Sequence, residues 1–313
     1  MTADLEKSVL VYDVGGSHVS AAVCWSDAYR LGRVVSTPHP AEESSDAFVN
    51  VLYSLGVEAS AGFGGVSGAE IAMPGPFDFS AGVSLMRHKL PYLFGVDLRQ
   101  PLAQRFGWQS SQVRFLHDAA AFLLGEVGAG AAREVPRAVG ITLGTGIGSA
   151  FAVDGRVITQ GVGIPPGGEI WNLPYEGGIV EDFVSARAIQ SSYKRRTGVL
   201  PDVATIAAKA SADQEAAAAF TEFGHHLGQA LRMVVSAFAP NVVVLGGGIS
   251  RSSHLFLPAA QDQLENLIFH LQISALKDHA PLVGAAVAWF NSSDGADDQL
   301  PHSSADAMHA DAV

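Results

Sequence analysis

The stretch "VLVYDVGGSHVSAAVC", residues 9–24, places an aspartate and two glycines between two apolar runs. The apolar residues before Asp13 and the small and β-branched residues after Ser17 predict two strands that are joined at the glycines. Successive backbone N–H groups in a glycine bend can bind phosphate oxygens, and a carboxylate beside them can hold a hydrated Mg²⁺ ion. Glycine turns with a neighbouring aspartate also close ordinary hairpins, so this stretch alone leaves both interpretations open.

Two further glycine bends follow later in the chain. Residues 138–143 predict a strand that ends in a Gly-Thr-Gly turn at residues 144–146, and a second strand and a hairpin turn at residues 154–155 follow. The stretch "NVVVLGGGISRSS", residues 241–253, predicts a buried strand, three glycines and serines that cap a helix. Because the first two bends share one pattern about 130 residues apart, we predict two similar lobes.

The composition is typical of a cytoplasmic globular enzyme of about two domains. The chain has 313 residues, of which 48% are hydrophobic and 16% are charged, and we expect no signal peptide and no membrane span. Its net charge of −12 argues against a nucleic-acid surface, so we expect neither a nucleic acid nor a membrane as a partner.

Two local features complete the composition argument. The single cysteine, Cys24, lies in a strand-like run, which excludes an internal disulfide and predicts a buried, inert thiol. Residues 292–313 contain five aspartates and neither lysine nor arginine, which predicts a disordered acidic tail.

Helices are predicted in three regions. One begins near Asp118, a longer one covers residues 203–237, and a buried terminal helix covers residues 281–290. Groups of strands and groups of helices therefore follow each other along the chain, which indicates an α/β fold.

The order of the three bends, Asp-Gly-Gly, then Gly-Thr-Gly, then Gly-Gly-Gly, resembles that of the sugar kinase, Hsp70 and actin superfamily. In more detail, the chain closely resembles the ROK (repressor, ORF, kinase) family of sugar kinases and repressors from about residue 9 to 290. The segments that carry this resemblance are "DVGGSHVSAAV", "MPGPFDFSAGV", "HDAAAFLLGE", "LGTGIGSAF", "GGEIWN", "VEDFVSARAI" and "LGGGIS".

The resemblance implies a two-lobed, ribonuclease H-like α/β fold with the active site in the cleft between the lobes. The small lobe is expected to cover residues 1–117 and to include the helix at about residues 281–291. The large lobe is expected to cover residues 118–280. Since no winged-helix segment precedes Asp13, we expect the kinase branch of the family rather than its repressors.

The resemblance also implies the residues that handle the phosphate donor. Asp118 matches the general base, which accepts the proton of the attacking sugar hydroxyl, although an aspartate before an alanine-rich helix is also a good N-cap. Asp13 is expected to hold Mg²⁺ through water. The residues expected to contact ATP are Gly15, Gly16 and Ser17 in the first turn, Gly144, Thr145 and Gly146 in the second, and Gly246, Gly247 and Gly248 beside the adenosine.

The sugar-binding positions contain two departures from the family pattern. Glu169, Glu181 and Gly75 match sugar-contacting positions. His117 stands where an asparagine is usual, and Asn172 stands where the family has a histidine that binds sugar and zinc. The cysteine-rich zinc loop should follow, but the sequence there reads "LPYEGGIVED", so we expect no zinc.

Taken together, the resemblance implies an ATP- and Mg²⁺-dependent hexose kinase that phosphorylates the 6-hydroxyl of glucose. His117 and Asn172 leave fructose or an N-acetylhexosamine open as the sugar. A polyphosphate-dependent glucokinase and a non-catalytic sugar sensor of ROK type also stay open, although a sensor has no use for a base at Asp118. The family further implies a homodimer.

Overall fold

The computed structural model describes residues 7–40, 42–63 and 65–293. The elements of the first half of the chain are β1 (Ser8–Val14), β2 (His18–Trp25), β3 (Val35–Pro38), α1 (Ser45–Ser60), β4 (Ala69–Met73), β5 (Phe77–Asp78), β6 (Val83–Ser84), α2 (Arg99–Phe106), β7 (Val113–His117) and α3 (Asp118–Ala129). Of the acidic segment 292–313, for which the composition predicts disorder, residues 294–313 lie outside the described ranges.

The second half of the chain repeats this alternation of strands and helices. Its elements are β8 (Arg137–Leu143), β9 (Ile147–Val153), β10 (Arg156–Ile158), β11 (Pro174–Tyr175), β12 (Gly178–Ile179), α4 (Val180–Phe183), α5 (Ala186–Thr197), α6 (Val203–Lys209), α7 (Gln214–Phe238), β13 (Val242–Gly246), α8 (Ser253–Asp262), β14 (His270–Ile273) and α9 (Ala280–Ser293). In the part of the chain that the structure describes, no helix is both long and apolar enough to span a bilayer.

Two five-stranded sheets have the same topology. The first has the order β3-β2-β1-β4-β7 and the second the order β10-β9-β8-β13-β14. In each sheet the first three strands are antiparallel and the last two are parallel to the central strand. Each central hairpin is closed by one of the glycine turns, so the sequence pattern that recurs in the two halves corresponds to a recurring sheet. The lobe boundaries after residues 117 and 280 stay a prediction.

Helix α3 packs against both sheets. Its residues Ala121 and Leu124 contact the apolar cluster on the first sheet, whereas Phe122 and Leu123 belong to the cluster on the second. Helix α9 covers the first sheet beside α3 and crosses α3 closely. A Cβ atom on Gly284 would lie 1.7 Å from the carbonyl oxygen of Ala121, so only glycine fits at this crossing.

Two local predictions about helices are wrong. The helical stretch predicted over residues 203–237 is interrupted between α6 and α7 because the Asp213 side chain caps α7, accepting hydrogen bonds from the backbone N–H groups of Glu215 and Ala216. The serines after the third glycine bend do not cap α8. Ser252 stands at the N-cap without a side-chain bond, and the Ser250 hydroxyl instead donates to the Gly247 carbonyl at 2.7 Å.

Cys24 is buried in β2, as predicted. Burial is the largest cause that raises the pKa of its thiol, to about 12. Because the thiolate is the reactive form, this thiol is inert at neutral pH.

Candidate active site

The first glycine turn lies at the carboxyl end of the first sheet. It joins β1 to β2, and the backbone N–H of Gly15 donates to the carbonyl of His18 at 2.9 Å. Asp13 is half-buried near the end of β1, beside Ala72 of the parallel strand β4. Because the parallel strands β1, β4 and β7 end at the same edge, the residues that follow them are brought together.

Gly75 and His117 are brought together in this way. Gly75 follows β4, and a Cβ atom built on it would lie 3.7 Å from Nε2 of His117, the last residue of β7. The rings of His117 and Phe79 meet edge to face, with centroids 6.0 Å apart. The structure therefore places two predicted sugar-binding residues next to each other at the edge that also carries Asp13.

The second glycine turn faces the first. It joins β8 to β9, and Gly144 donates its backbone N–H to the carbonyl of Gly146 at 3.0 Å. A Cβ atom on Gly16 in the first turn would lie 3.6 Å from the hydroxyl oxygen of Thr145 in the second. The turns of the two sheets thus approach to within side-chain contact, although they are more than a hundred residues apart in sequence.

Asp118 begins α3, between the two sheets. Its Oδ1 accepts a hydrogen bond from the backbone N–H of Ala119 at 2.7 Å and lies 3.2 Å from Nε2 of His117. The side chain is 36% exposed. Both contacts fall on Oδ1, so the carboxylate is bound to its own helix through one oxygen only.

The start of α3 also contacts the second sheet. A Cβ atom on Gly148 of β9 would lie 3.3 Å from Cβ of Ala119. Asp118 therefore stands beside the hairpin that carries the second turn, as well as at the end of the first sheet.

Asp13 lies in an environment that opposes its charge. The pKa of this carboxyl is raised to about 7 by burial, which is the largest cause, together with the negative charges of Asp118 and Asp278. A divalent cation would remove that penalty, and Mg²⁺ prefers oxygen ligands of this kind. The half-buried carboxylate among other acids therefore fits a hydrated Mg²⁺ ion.

The two predicted sugar-binding glutamates flank one loop: Glu169 lies at its start and Glu181 lies in α4 at its end. The Trp171 indole N–H donates to Oε2 of Glu169 at 2.7 Å. The backbone N–H of Glu181 donates to the carbonyl of Trp171 at 3.0 Å. Asn172 is exposed in the same loop.

The Glu181 side chain reaches the second turn. Its Oε2 accepts a hydrogen bond from the backbone N–H of Ile147 at 3.2 Å, and a Cβ atom on Gly146 would collide with it at 2.1 Å. One oxygen of this predicted sugar ligand thus supports the turn predicted to bind phosphate.

The loop is anchored by Tyr175, which is buried. Its hydroxyl donates to Oε1 of Gln229 at 2.6 Å and lies 2.8 Å from Nδ1 of His226, both on α7. Trp171, by contrast, is 39% exposed. Within residues 7–40, 42–63 and 65–293, no three His, Cys, Asp or Glu side chains are grouped closely enough to hold a metal ion.

The third glycine bend lies beside the second turn. Strand β13 is parallel to β8 and pairs Gly246 with Thr142. A Cβ atom on Gly247 would lie 2.4 Å from the carbonyl oxygen of Leu143, whereas one on Gly248 would meet nothing within 4 Å. The bend therefore leaves open space over bare backbone next to residues 144–146.

Two residues near these turns were not singled out from the sequence. The His39 side chain lies 2.9 Å from the carbonyl oxygen of Gly15 through its Nε2 atom. Asp278 raises the pKa of Asp13 and forms an ion pair with Arg251, which follows the third bend. Neither residue belongs to a local motif, so the only signal available was their chemical type.

The geometry defines the class of fold: two α/β lobes, each with a glycine turn at a cleft, as in the sugar kinase, Hsp70 and actin superfamily. The chain belongs to the ROK family, whose model matches residues 9–292.

Three relatives illustrate this membership. The chain is 26% identical to the N-acetyl-D-glucosamine kinase of Pectobacterium atrosepticum over 78% of its own length and 85% of that protein's. It is 29% identical to the glucokinase of Thermotoga maritima over 69% of its own length and 77% of that protein's. The crystal structure of the ROK hexokinase from Thermus thermophilus matches with a TM-score of 0.76 at 27% identity and covers 92% of this chain and all 100% of that one.

Proposed function

We propose that this protein is a hexose kinase that transfers the γ-phosphoryl group of ATP to the 6-hydroxyl of glucose. It is a phosphotransferase of the ROK sugar kinase class, as its kinase relatives support. The observation that carries the proposal is the approach of the two glycine turns, with Gly16 opposite Thr145 and Asp118 beside them.

The reaction forms a bond between the sugar oxygen and the γ-phosphorus and breaks the bond from that phosphorus to the bridging oxygen of ADP. The transition state is loose, so most of the acceleration comes from aligning the reactants and neutralising charge. The backbone N–H groups of the two turns serve this purpose because they are fixed dipoles on either side of the transferred group.

Asp118 accepts the proton that the sugar hydroxyl loses. Its Oδ1 is held by Ala119 and stands beside His117, which fixes the orientation of the carboxylate. Oδ2 is therefore the oxygen that we assign to the sugar proton. General-base assistance of this kind contributes on the order of 10²–10⁴ in rate.

Asp13 is the residue that would hold Mg²⁺, through water. The ion, when bound, supplies charge neutralisation on the phosphate oxygens. The side chain and backbone of the first turn orient the phosphates beside it, and the bare backbone at Gly247 and Gly248 accommodates the adenosine.

Glu169 and Glu181 bind sugar hydroxyls, since a carboxylate is a strong acceptor for several O–H groups. His117 and Gly75 line the same side of the cleft as Asp118, and Asn172 lies in the loop with Glu169. Two lobes close over the sugar: the small lobe covers residues 1–117 with 281–291, and the large lobe covers residues 118–280. We also propose that the protein forms the homodimer that the resemblance implies.

An N-acetylhexosamine is the second candidate for the sugar. Two observations favour it: a relative that covers most of the chain is named an N-acetyl-D-glucosamine kinase, and His117 stands at the sugar edge where the family usually has asparagine. Imidazole and amide side chains donate and accept with different geometry, so this position affects the choice of sugar.

Release of ADP, measured across glucose, fructose, mannose, N-acetylglucosamine and N-acetylmannosamine with ATP and Mg²⁺, tests the proposal. Parallel reactions with polyphosphate, which release no ADP and are followed by formation of the sugar phosphate, identify the donor. We expect glucose to have the highest kcat/KM. Turnover of no sugar with either donor, while a sugar still binds, would identify a sensor and refute the kinase.

The variant Asp118→Asn tests the base. We expect kcat to fall by about 10²–10⁴ while the Kd for the sugar stays within about twofold, because the amide cannot take the proton. Asp262→Asn, at the exposed last residue of α8, is the matched control. Near-normal turnover of Asp118→Asn would show that this residue caps the helix and is not the general base.

A further inference from the structure

We propose that His39 is a positioning residue that holds the first glycine turn in the orientation that binds phosphate. This inference deepens the proposed function and rests on it. His39 follows β3 and lies behind the turn, 24 residues from Gly15 in the sequence.

His39 binds the turn at both of its ends. Its side-chain Nε2 lies 2.9 Å from the carbonyl oxygen of Gly15. Its backbone N–H donates to the carbonyl oxygen of Ser17 at 3.2 Å. A carbonyl oxygen can only accept, so Nε2 carries the proton and donates it.

These bonds fix the direction of two peptide groups. The carbonyl of Gly15 and the N–H of Gly16 belong to one planar peptide and point in opposite directions. When His39 holds the Gly15 carbonyl behind the turn, the Gly16 N–H is directed to the other side, and Gly16 is the residue that approaches Thr145. The hydrogen bond from the His39 backbone N–H to the Ser17 carbonyl fixes the Ser17–His18 peptide in the same way.

The alternative orientation would oppose binding. Glycine has access to most backbone conformations, so a Gly-Gly peptide can rotate readily when nothing holds it. A rotated Gly15–Gly16 peptide would present its carbonyl oxygen to the phosphate and remove one N–H donor. The charge interaction would then change from attraction to repulsion.

The imidazole ring is itself held in place. It stacks on Phe48 of α1, with ring centroids 6.1 Å apart and an angle of 30° between the planes. Its second nitrogen, Nδ1, is buried without a hydrogen-bond partner among the described residues. Leaving a buried polar atom unpaired costs free energy. The protein accepts this cost at Nδ1 in the ring position that lets Nε2 bond the turn.

The test compares three variants by isothermal titration with Mg²⁺–AMPPNP, with tripolyphosphate and with glucose. His39→Ala removes the donor. His39→Gln can place an amide N–H near the position of Nε2, whereas the shorter His39→Asn cannot. His270→Ala, at an exposed position on β14, is the matched control.

We expect His39→Ala and His39→Asn to weaken both phosphate ligands by about 5- to 10-fold, and His39→Gln to restore them to within about threefold. The Kd for glucose should stay within about twofold in all variants. Melting temperatures are measured in parallel. If His39→Ala does not fold, the comparison of His39→Gln with His39→Asn tests the role of His39.

Unchanged phosphate affinity in His39→Ala, an equal loss for phosphate and glucose, or no difference between Gln and Asn would overturn the role of His39. These outcomes are distinct from failure of the proposed function, which would appear as wild-type protein that binds its ligands but turns over no sugar with either donor.

Discussion

At the scale of single residues, Asp13, which we propose to hold Mg²⁺, has a cost in stability. An unfolded aspartate has a pKa near 3.8, whereas burial raises the folded value to about 7. Between these pH values the folded chain binds a proton that the unfolded chain has released. The free energy of unfolding therefore falls as the pH rises through this window, and the loss persists above pH 7.

We expect Asp13→Asn to abolish phosphoryl transfer and yet to stabilise the metal-free protein. The gain should be at most about 4 kcal/mol at pH 8, which corresponds to the shift of the pKa from 3.8 to about 7, and smaller at pH 5, because the charged form of Asp13 dominates only above pH 7. Chemical denaturation at both pH values measures it. Asp154→Asn, at an exposed hairpin turn, is the control, and an equal gain at pH 5 and pH 8 would contradict the explanation.

The candidate site residues that the sequence could indicate are those that stand out in a few consecutive letters. Asp13 beside its glycines and Asp118 before its helix are of this kind. His39 could not be predicted, because its bond to Gly15 depends on how β3 returns to the edge of the sheet. The bond from Glu181 to Ile147 likewise joins residues that no local pattern relates.

At the scale of elements, α3 and α9 cross so closely that only glycine fits at residue 284. We expect Gly284→Ala to lower the free energy of unfolding by more than about 3 kcal/mol, because its Cβ atom would overlap the Ala121 carbonyl oxygen. Gly198→Ala is the control. Residue 198 has a positive φ but nothing within 4 Å, so it should lose only about 1 kcal/mol.

Urea unfolding of both variants gives the comparison. Equal losses would show that the helices move apart easily and that α9 does not depend on this close approach.

The elements predicted from strand and turn patterns are observed, including the hairpins around residues 15–16, 144–146 and 154–155. The predicted helix over residues 203–237 fails at one place. Its alanine-rich composition favours an uninterrupted helix, and the break depends on a single side chain, Asp213, which bonds the N-terminus of α7. Competition of this kind is decided by one or two hydrogen bonds, which composition does not resolve.

At the scale of the whole molecule, the sequence pattern indicates two similar halves, but not how they face each other. That arrangement depends on α3, which packs against both sheets, and on α9, which returns to the first. Only the resulting structure brings Gly16 opposite Thr145.

We expect the two substrates to stabilise the protein cooperatively, because in the proposed function each binds at the cleft and favours a closed form of the lobes. Mg²⁺–AMPPNP at about 100 times its Kd should raise the free energy of unfolding by about 2.7 kcal/mol. With glucose also present, the rise in melting temperature should exceed the sum of the two separate rises. Scanning calorimetry measures all three, and strictly additive shifts would indicate lobes that do not close.

The exposed indole of Trp171 has a practical consequence. Of the four tryptophans in the chain, the other three are buried or half-buried, and only this one is bonded to Glu169. A hexose that binds Glu169 as proposed would disturb this hydrogen bond and thereby alter the indole emission. The enzyme therefore contains its own optical reporter, and ligand titrations by fluorescence need no dye and no label.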